Sequence, residues 1–189
     1  MLTEADRRYL DLLKRCVTAS IYKESGWRLA LTDVQLRQGG AERQRLDGIR
    51  AQIFKFAAAR SWALVKTSPL DPIRREQGRD WPLFGYTMVG HKRLDHLQEC
   101  IVEVVDGKVA GDLVETGVWR GGTLIFMRAM LEVLGVTDRT IWGCDSFAGL
   151  PEPATPTDGI DLSSVDLLKV SLEEVKDNFR RFDLLDDQI

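Results

Sequence analysis

Residues 111–122, Gly111-Asp112-Leu113-Val114-Glu115-Thr116-Gly117-Val118-Trp119-Arg120-Gly121-Gly122, constrain the fold more than any other stretch. A short apolar run closes on a glycine turn and passes at once into a helix through Ile125, Phe126, Met127, Ala129, Met130 and Leu131. A strand that enters a helix in this way leaves the first helical N–H groups without partners above the strand end, where polar and anionic ligand heads collect. Glycines at 117, 121 and 122 allow the turn positive φ and allow a ligand to approach backbone where a Cβ would clash.

The dinucleotide fingerprint requires G-x-G-x-x-G, and Trp119 occupies its middle glycine, so a pyrophosphate fits poorly and a nicotinamide-dependent reductase is a weak reading. Glu115 stands at the strand end, two residues before the first glycine, where a carboxylate can accept from a cationic ammonium group. That suits an amino-acid-bearing nucleoside such as S-adenosylmethionine (SAM) better than NAD. On these residues alone a plain strand-to-helix corner, with Glu115 solvated and Trp119 packed, is equally open. A second apolar run over 140–145 ends in Asp145, 28 positions after Gly117. In a β-α-β unit that acid arrives beside the first turn, placed for a ribose diol.

With those pieces in hand, E-T-G-V-W-R-G-G at 115–122, I-F-M-R-A at 125–129 and D-S-F-A-G-L-P at 145–151 resemble the macrocin O-methyltransferase (TylF-like) family. Residues 9–16, Thr87-Met88-Val89-Gly90, Arg93-Leu94-Asp95 and the 170–179 segment agree with it. The resemblance covers residues 9–22 and 81–189. It implies a SAM-dependent, metal-assisted enzyme that methylates a sugar hydroxyl of a macrolide or aminocoumarin natural product, a secondary metabolite made in antibiotic biosynthesis. It further implies that Glu115, Thr116 and Gly117, then Trp119, Arg120, Gly121 and Gly122, line the cofactor, with Asp145 and Ser146 beside it. Residues 83–88, including Thr87 and Met88, are placed over its methionine end; core filling by Tyr86 and Met88 is the competing reading.

The 189 residues, 44% hydrophobic, suffice for one ordinary domain. No run approaches the ~18 apolar residues of a membrane span. The charged opening at 3–8 is unlike a signal peptide, so a cytoplasmic protein is expected. Cys16, Cys100 and Cys144 are widely spaced and read as small buried hydrophobes rather than disulfide or zinc partners. His91 and His96 are five apart, off a common helical face. Residues 23–80 carry a basic excess, but its cations alternate with acids and lack an aromatic platform, which argues against nucleic acid.

Periodicity predicts helices over 3–22 (capped by Thr3 with Asp6; Leu10, Leu13, Val17 and Ile21 inward), 41–66 (Leu46, Ile49, Ile53 and Phe56) and 90–105. Residues 67–82 read as a proline-punctuated linker and 146–161 as a loop, the covering part of the site in the resembled family. A last helix opens on a Ser171/Glu174 capping box, with Val175, Phe179 and Phe182 inward. The fold class expected is α/β: an incomplete Rossmann-like class I methyltransferase fold, with a helical region over 1–80 (a lid or dimer arm) and the N-terminal part of the SAM-binding domain over 81–189.

Two strands do not complete an open parallel sheet. In the resembled family the later strands, and the acids that hold Mg²⁺, come after position 189. The expectation is therefore a truncated, inactive chain with no catalytic base or metal ligand of its own. Asp186-Asp187 is read as a solvated turn. The partners expected are a small-molecule acceptor and either a second copy or a complementary chain. The alternative is a non-catalytic truncated paralogue that binds SAM weakly or pairs with a full-length homologue.

Overall fold

The computed structural model describes residues 2–22, 27–28, 52, 56, 60, 66–67, 71–80, 82, 84–155, 161–163 and 165–189. The chain divides into two compact units, one of Met1–Glu24, Asp71–Leu150 and Asp166–Ile189, the other of Ser25–Leu70 and Pro151–Val165. In the second, strands β1 (Trp27–Arg28) and β2 (Lys66–Thr67) pair antiparallel. Most of the helix expected over 41–66 lies outside the described residues. Phe56, on the stripe expected for that helix, is exposed, with the Arg60 guanidinium 3.6 Å from its ring centroid.

The first unit holds α1 (Glu4–Val17), α2 (Pro72–Glu76), α3 (His91–Asp106), β3 (Leu113–Thr116), α4 (Gly122–Val133), β4 (Ile141–Cys144) and α5 (Leu172–Arg181). Strands β3 and β4 run parallel, with Leu113 opposite Ile141 and Thr116 opposite Cys144, and α4 is the crossover between them. This is the partial Rossmann-like α/β arrangement expected. Asp112 clamps the start of the pair by accepting from Thr140 N at 2.9 Å and Trp142 Nε1 at 2.9 Å.

Helix α4 is the core. Every residue from Gly122 to Leu131 is buried, against α1, α3 and both strands. Each fully buried aliphatic side chain there contributes ~1.5–3 kcal/mol. Helix α1 presents Leu10, Leu13 and Val17 to that core. Its Thr3 accepts from Asp6 N at 3.2 Å while Asp6 accepts from Thr3 N at 2.7 Å, a full capping box. The helix stops at Val17, five residues short of the expectation, because Thr18 Oγ1 donates back to Lys14 O at 2.7 Å and Ala19 turns to φ 55°.

Within 67–82 a short helix, α2, forms where a linker was expected: Asp71 accepts from Ile73 N and Arg74 N, and Pro72 supplies the pre-set φ. At α5 the Ser171 hydroxyl accepts from Glu174 N at 3.1 Å. Val175 and Phe179 are buried, and Phe182 meets Tyr86 edge-on with centroids 5.1 Å apart. None of the three cysteines is buried; Cys16 and Cys100 are half-buried and Cys144 is exposed. Cys144 alternates with Trp142 on the sheet face away from α4, where Val114 and Trp142 are 60% and 55% exposed. No helix among the described residues is long and apolar enough to cross a membrane.

Asp186 lies in an exposed bend, as expected, and its carboxylate is also ion-paired. Arg128, the one charged residue in the buried run of α4, donates through Nε to Asp186 Oδ1 at 3.0 Å and Oδ2 at 2.9 Å, with Nη2 also on Oδ2. The pairing pulls the Asp186 carboxyl below the usual range and moors residues 184–189 to the core helix. Asp186→Ala leaves the Arg128 guanidinium without that acceptor, and the expected loss of stability is ~1–3 kcal/mol, read as a lower denaturant midpoint at unchanged slope.

Candidate functional site

The corner between β3 and α4 is built by contacts that are distant in sequence. Val17, last residue of α1, has a carbonyl with no helical partner, and it accepts from Tyr86 N at 2.7 Å and Thr87 N at 3.2 Å. Tyr86 O in turn accepts from Gly122 N at 2.8 Å, the first N–H of α4. A Cβ on Gly122 would lie 2.6 Å from Tyr86 C and 2.8 Å from Thr87 N, so only glycine lets the Tyr86–Thr87 backbone sit there. Gly121 takes φ 83° and faces Val175 and Phe179 of α5. Gly121 and Gly122 therefore make close approach of protein to protein. Gly117, at φ +86°, has nothing within 4 Å of where its Cβ would stand; the open side of the turn is here.

Asp145 lies at the end of β4 beside this turn. Its Oδ2 accepts from Val118 N at 2.7 Å and its Oδ1 from Phe147 N at 2.8 Å, while Gly117 N donates to Cys144 O at 3.0 Å. The carboxylate thus fixes the turn against β4, and each oxygen retains a further lone pair. Ser146 Oγ accepts from Ala148 N and donates to Gly149 O, shaping the bend after β4.

Trp119, at φ 49°, donates its ring N–H to Leu167 O at 2.8 Å and stacks under the Arg120 guanidinium at 4.5 Å. Arg120 also donates to Gly85 O at 3.1 Å, and its carbonyl accepts from Asn178 Nδ2 at 3.0 Å. Thr116 is exposed and points with Val114 to the sheet face away from α4. Met88 is half-buried.

Glu115 points to the α4 side. It is half-buried; its Oε2 is fully covered yet has no hydrogen-bond partner. Burial, chiefly, pushes its carboxyl up to about 7; the Thr123 hydroxyl opposes the rise and the Asp145 charge adds to it. Thr123 is itself 3.1 Å from Thr87 Oγ1, and Thr87 Oγ1 accepts from Val89 N at 3.0 Å. The structure so brings together Thr87, Glu115, Gly117, Gly122 and Asp145. Thr123 was missed by sequence reasoning, although a lone hydroxyl at the head of the apolar run Leu124–Met127 was its signal. Among the described residues no group of three or more metal-ligating side chains converges.

A family model for the macrocin O-methyltransferase (TylF) matches residues 6–189. A tetracenomycin-C rhamnosyl 4'-O-methyltransferase of Streptomyces olivaceus is 38% identical over 100% of this chain and 61% of its own length. The mycinamicin III 3''-O-methyltransferase of Micromonospora griseorubida is 35% identical over 96% of the chain and 61% of its own length. Demethyldecarbamoylnovobiocin O-methyltransferase of Streptomyces niveus is 47% identical over 61% of the chain and 46% of itself. The solved structure of the O-methyltransferase NovP matches with a TM-score of 0.69 at 34% identity, covering 97% of this chain and 62% of that one. The chain spans about three-fifths or less of the length of these relatives.

A carboxyl that rises from an ordinary 4.5 to about 7 on folding is a group the native state protonates more readily than the unfolded one. Stability from this group is therefore present below pH ~4.5 and lost as pH climbs through 7, by ~3 kcal/mol. Glu115→Gln is expected to flatten the pH dependence of stability between pH 5 and 8, measured by denaturant titration at several pH values. An unchanged slope would mean that Glu115 is well solvated.

Proposed function

The chain belongs to the macrocin O-methyltransferase (TylF) family, and from that membership we propose that it forms the SAM-holding part of an O-methyltransferase whose acceptor is a sugar hydroxyl of a natural product. The observation that carries this reading is the covered, partnerless Oε2 of Glu115 close to the open side of Gly117, with Asp145 at the neighbouring strand end. A covered carboxylate oxygen without a donor costs stability unless a ligand supplies one. An ammonium group matches it in charge and in hydrogen-bonding sense.

When bound, SAM supplies an electrophilic methyl group on a sulfonium. The residues of this chain contribute placement. Glu115 would accept from the amino-acid ammonium, and Asp145, already holding Val118 N and Phe147 N, has lone pairs left for a sugar diol. Gly117 leaves the turn unobstructed by a side chain. Fixing one reactant in a single orientation is the main protein contribution to such a transfer. The names of the relatives, which specify a rhamnosyl 4' oxygen on tetracenomycin C and a 3'' oxygen on mycinamicin III, support a glycosylated acceptor. Mg²⁺ assistance is expected from the family resemblance.

Isothermal calorimetry of the chain with SAM tests the reading. Glu115→Gln is expected to weaken binding roughly 10- to 100-fold, the worth of a charge-assisted hydrogen bond. A cation at Oε2 selects the ionised carboxyl, so affinity should climb as pH rises towards 7, then level until the ligand's own ammonium deprotonates near ~8. Binding of NAD in preference to SAM, or indifference to Glu115→Gln, would overturn it.

A further inference from the structure

Five non-glycine residues among those described take positive φ: Ala19, Lys108, Trp119, Phe147 and Asp183. Ala19, Lys108 and Asp183 each stand one residue past the C-cap of α1, α3 or α5, where a left-handed residue is an ordinary way for a helix to stop. Trp119 and Phe147 end no helix. Both are aromatic, and a bulky side chain keeps this costly conformation only where its surroundings enforce it. They flank one carboxylate: Asp145 accepts from Phe147 N at 2.8 Å and from Val118 N, the neighbour of Trp119, at 2.7 Å. We propose that Trp119 is a positioning residue of the ligand turn. The bond from its indole N–H to Leu167 O holds residue 119 in the left-handed region, and the backbone so held presents Gly117, Val118 and Asp145 to the nucleoside, while the ring itself does not touch it. The proposal rests on the SAM-binding reading for the identity of the ligand, and on the geometry for the rest.

Gly121 N donates to Val118 O at 3.0 Å, closing a four-residue turn with Trp119 and Arg120 at its centre. Positive φ at the first central position and not at the second is a pattern that usually selects glycine first. A tryptophan there must be held. Packing supplies part of the hold, since the ring is half-buried against the core. The indole supplies the rest, donating to Leu167 O at 2.8 Å across 48 positions of sequence. An indole has one polar atom, and this bond uses it. The Arg120 guanidinium, 4.5 Å from the ring centroid, lies over one face. No donor remains on the side chain for a ligand.

The rest of the turn is fixed through its main chain. Gly117 N donates to Cys144 O, Val118 N to Asp145, and Asn178 Nδ2 to Arg120 O. Residue 119 is held through its side chain instead. Release of the indole lets φ return to negative values, which unmakes the Val118–Gly121 bond and loosens residue 118, a donor to Asp145. The turn that fits the ligand then becomes one state among several, and affinity falls with its population.

Three substitutions separate positioning from contact. Trp119→Phe keeps a ring and removes the N–H; Trp119→Ala removes both; Trp119→Gly removes both but takes positive φ as readily as negative. In SAM calorimetry Trp119→Phe should lose roughly 3- to 10-fold in affinity, as for one neutral hydrogen bond. Trp119→Ala should lose more, and Trp119→Gly should bind about 5-fold tighter than Trp119→Ala, the cost of a left-handed Cβ. A ring that touched the nucleoside would give the reverse, with Trp119→Phe close to wild type and Trp119→Gly no better than Trp119→Ala; that order would overturn the proposal. Coupling is reciprocal, so saturating SAM should slow solvent exchange of the Trp119 indole N–H by about the factor that Trp119→Phe loses. The Trp142 indole, bonded to Asp112 at the start of the strand pair, should not change. An unmoved Trp119 indole would also overturn the proposal. If SAM does not bind the wild-type chain, the ligand reading fails, and main-chain amide exchange at Val118 and Gly121 in the ligand-free chain decides the rest: faster exchange in Trp119→Phe supports the hold of the indole on the turn, and unchanged exchange overturns it. Should Trp119→Ala not fold, Trp119→Phe and the indole signal decide.

Discussion

The structure depends on the burial of one helix end. Helix α4 enters the core with no side chain on Gly121 and Gly122, and this absence lets α5 press from one side and the Tyr86–Thr87 backbone from the other. Close-packed interiors tolerate no extra methyl at such a point. Main-chain contacts that no side chain could make are formed there: Val17 O to Tyr86 and Thr87, and Tyr86 O to Gly122. The end of α1 thereby positions a loop some seventy residues later, and the loop positions the start of the central helix.

The same corner gathers opposing electrostatic effects on Glu115. Burial and the Asp145 charge favour the neutral acid; the Thr123 hydroxyl favours the carboxylate. Neither side prevails completely near neutral pH, and Oε2 is left covered and unpaired. A covered carboxylate oxygen without a donor costs stability. Asp145 differs. Its oxygens already serve Val118 and Phe147, so it first builds the turn, and any ligand contact uses what is left.

Family and fold agree with the residues that suggested them. The glycine turn and the two acids were legible because their spacing reflects the geometry of one β-α-β unit, a local object of some thirty residues. Helix faces were legible for the same reason: Leu10, Leu13 and Val17, or Val175 and Phe179, recur with the helical period. Legibility failed where a local rule met a distant partner. The exposed bend at Asp186 was legible, but its partner Arg128, 58 positions earlier, is not visible in a one-dimensional pattern. Cys144 looked like core because its strand is apolar, yet its face of the sheet lies away from α4.

The amino-acid order by itself determined the parallel strand pair, the amphipathic helices, the open glycine at 117 and the two carboxylates at adjacent strand ends, because each rests on short-range sterics and periodicity. Only the tertiary structure decided that Gly121 and Gly122 serve protein contacts, that Trp119 is tied to Leu167, and that Thr87 and Thr123 stand together behind Glu115. Those outcomes depend on segments far apart in the chain meeting at one buried helix end. The state of a carboxyl group depends on everything packed around it, and no spacing along a sequence encodes that.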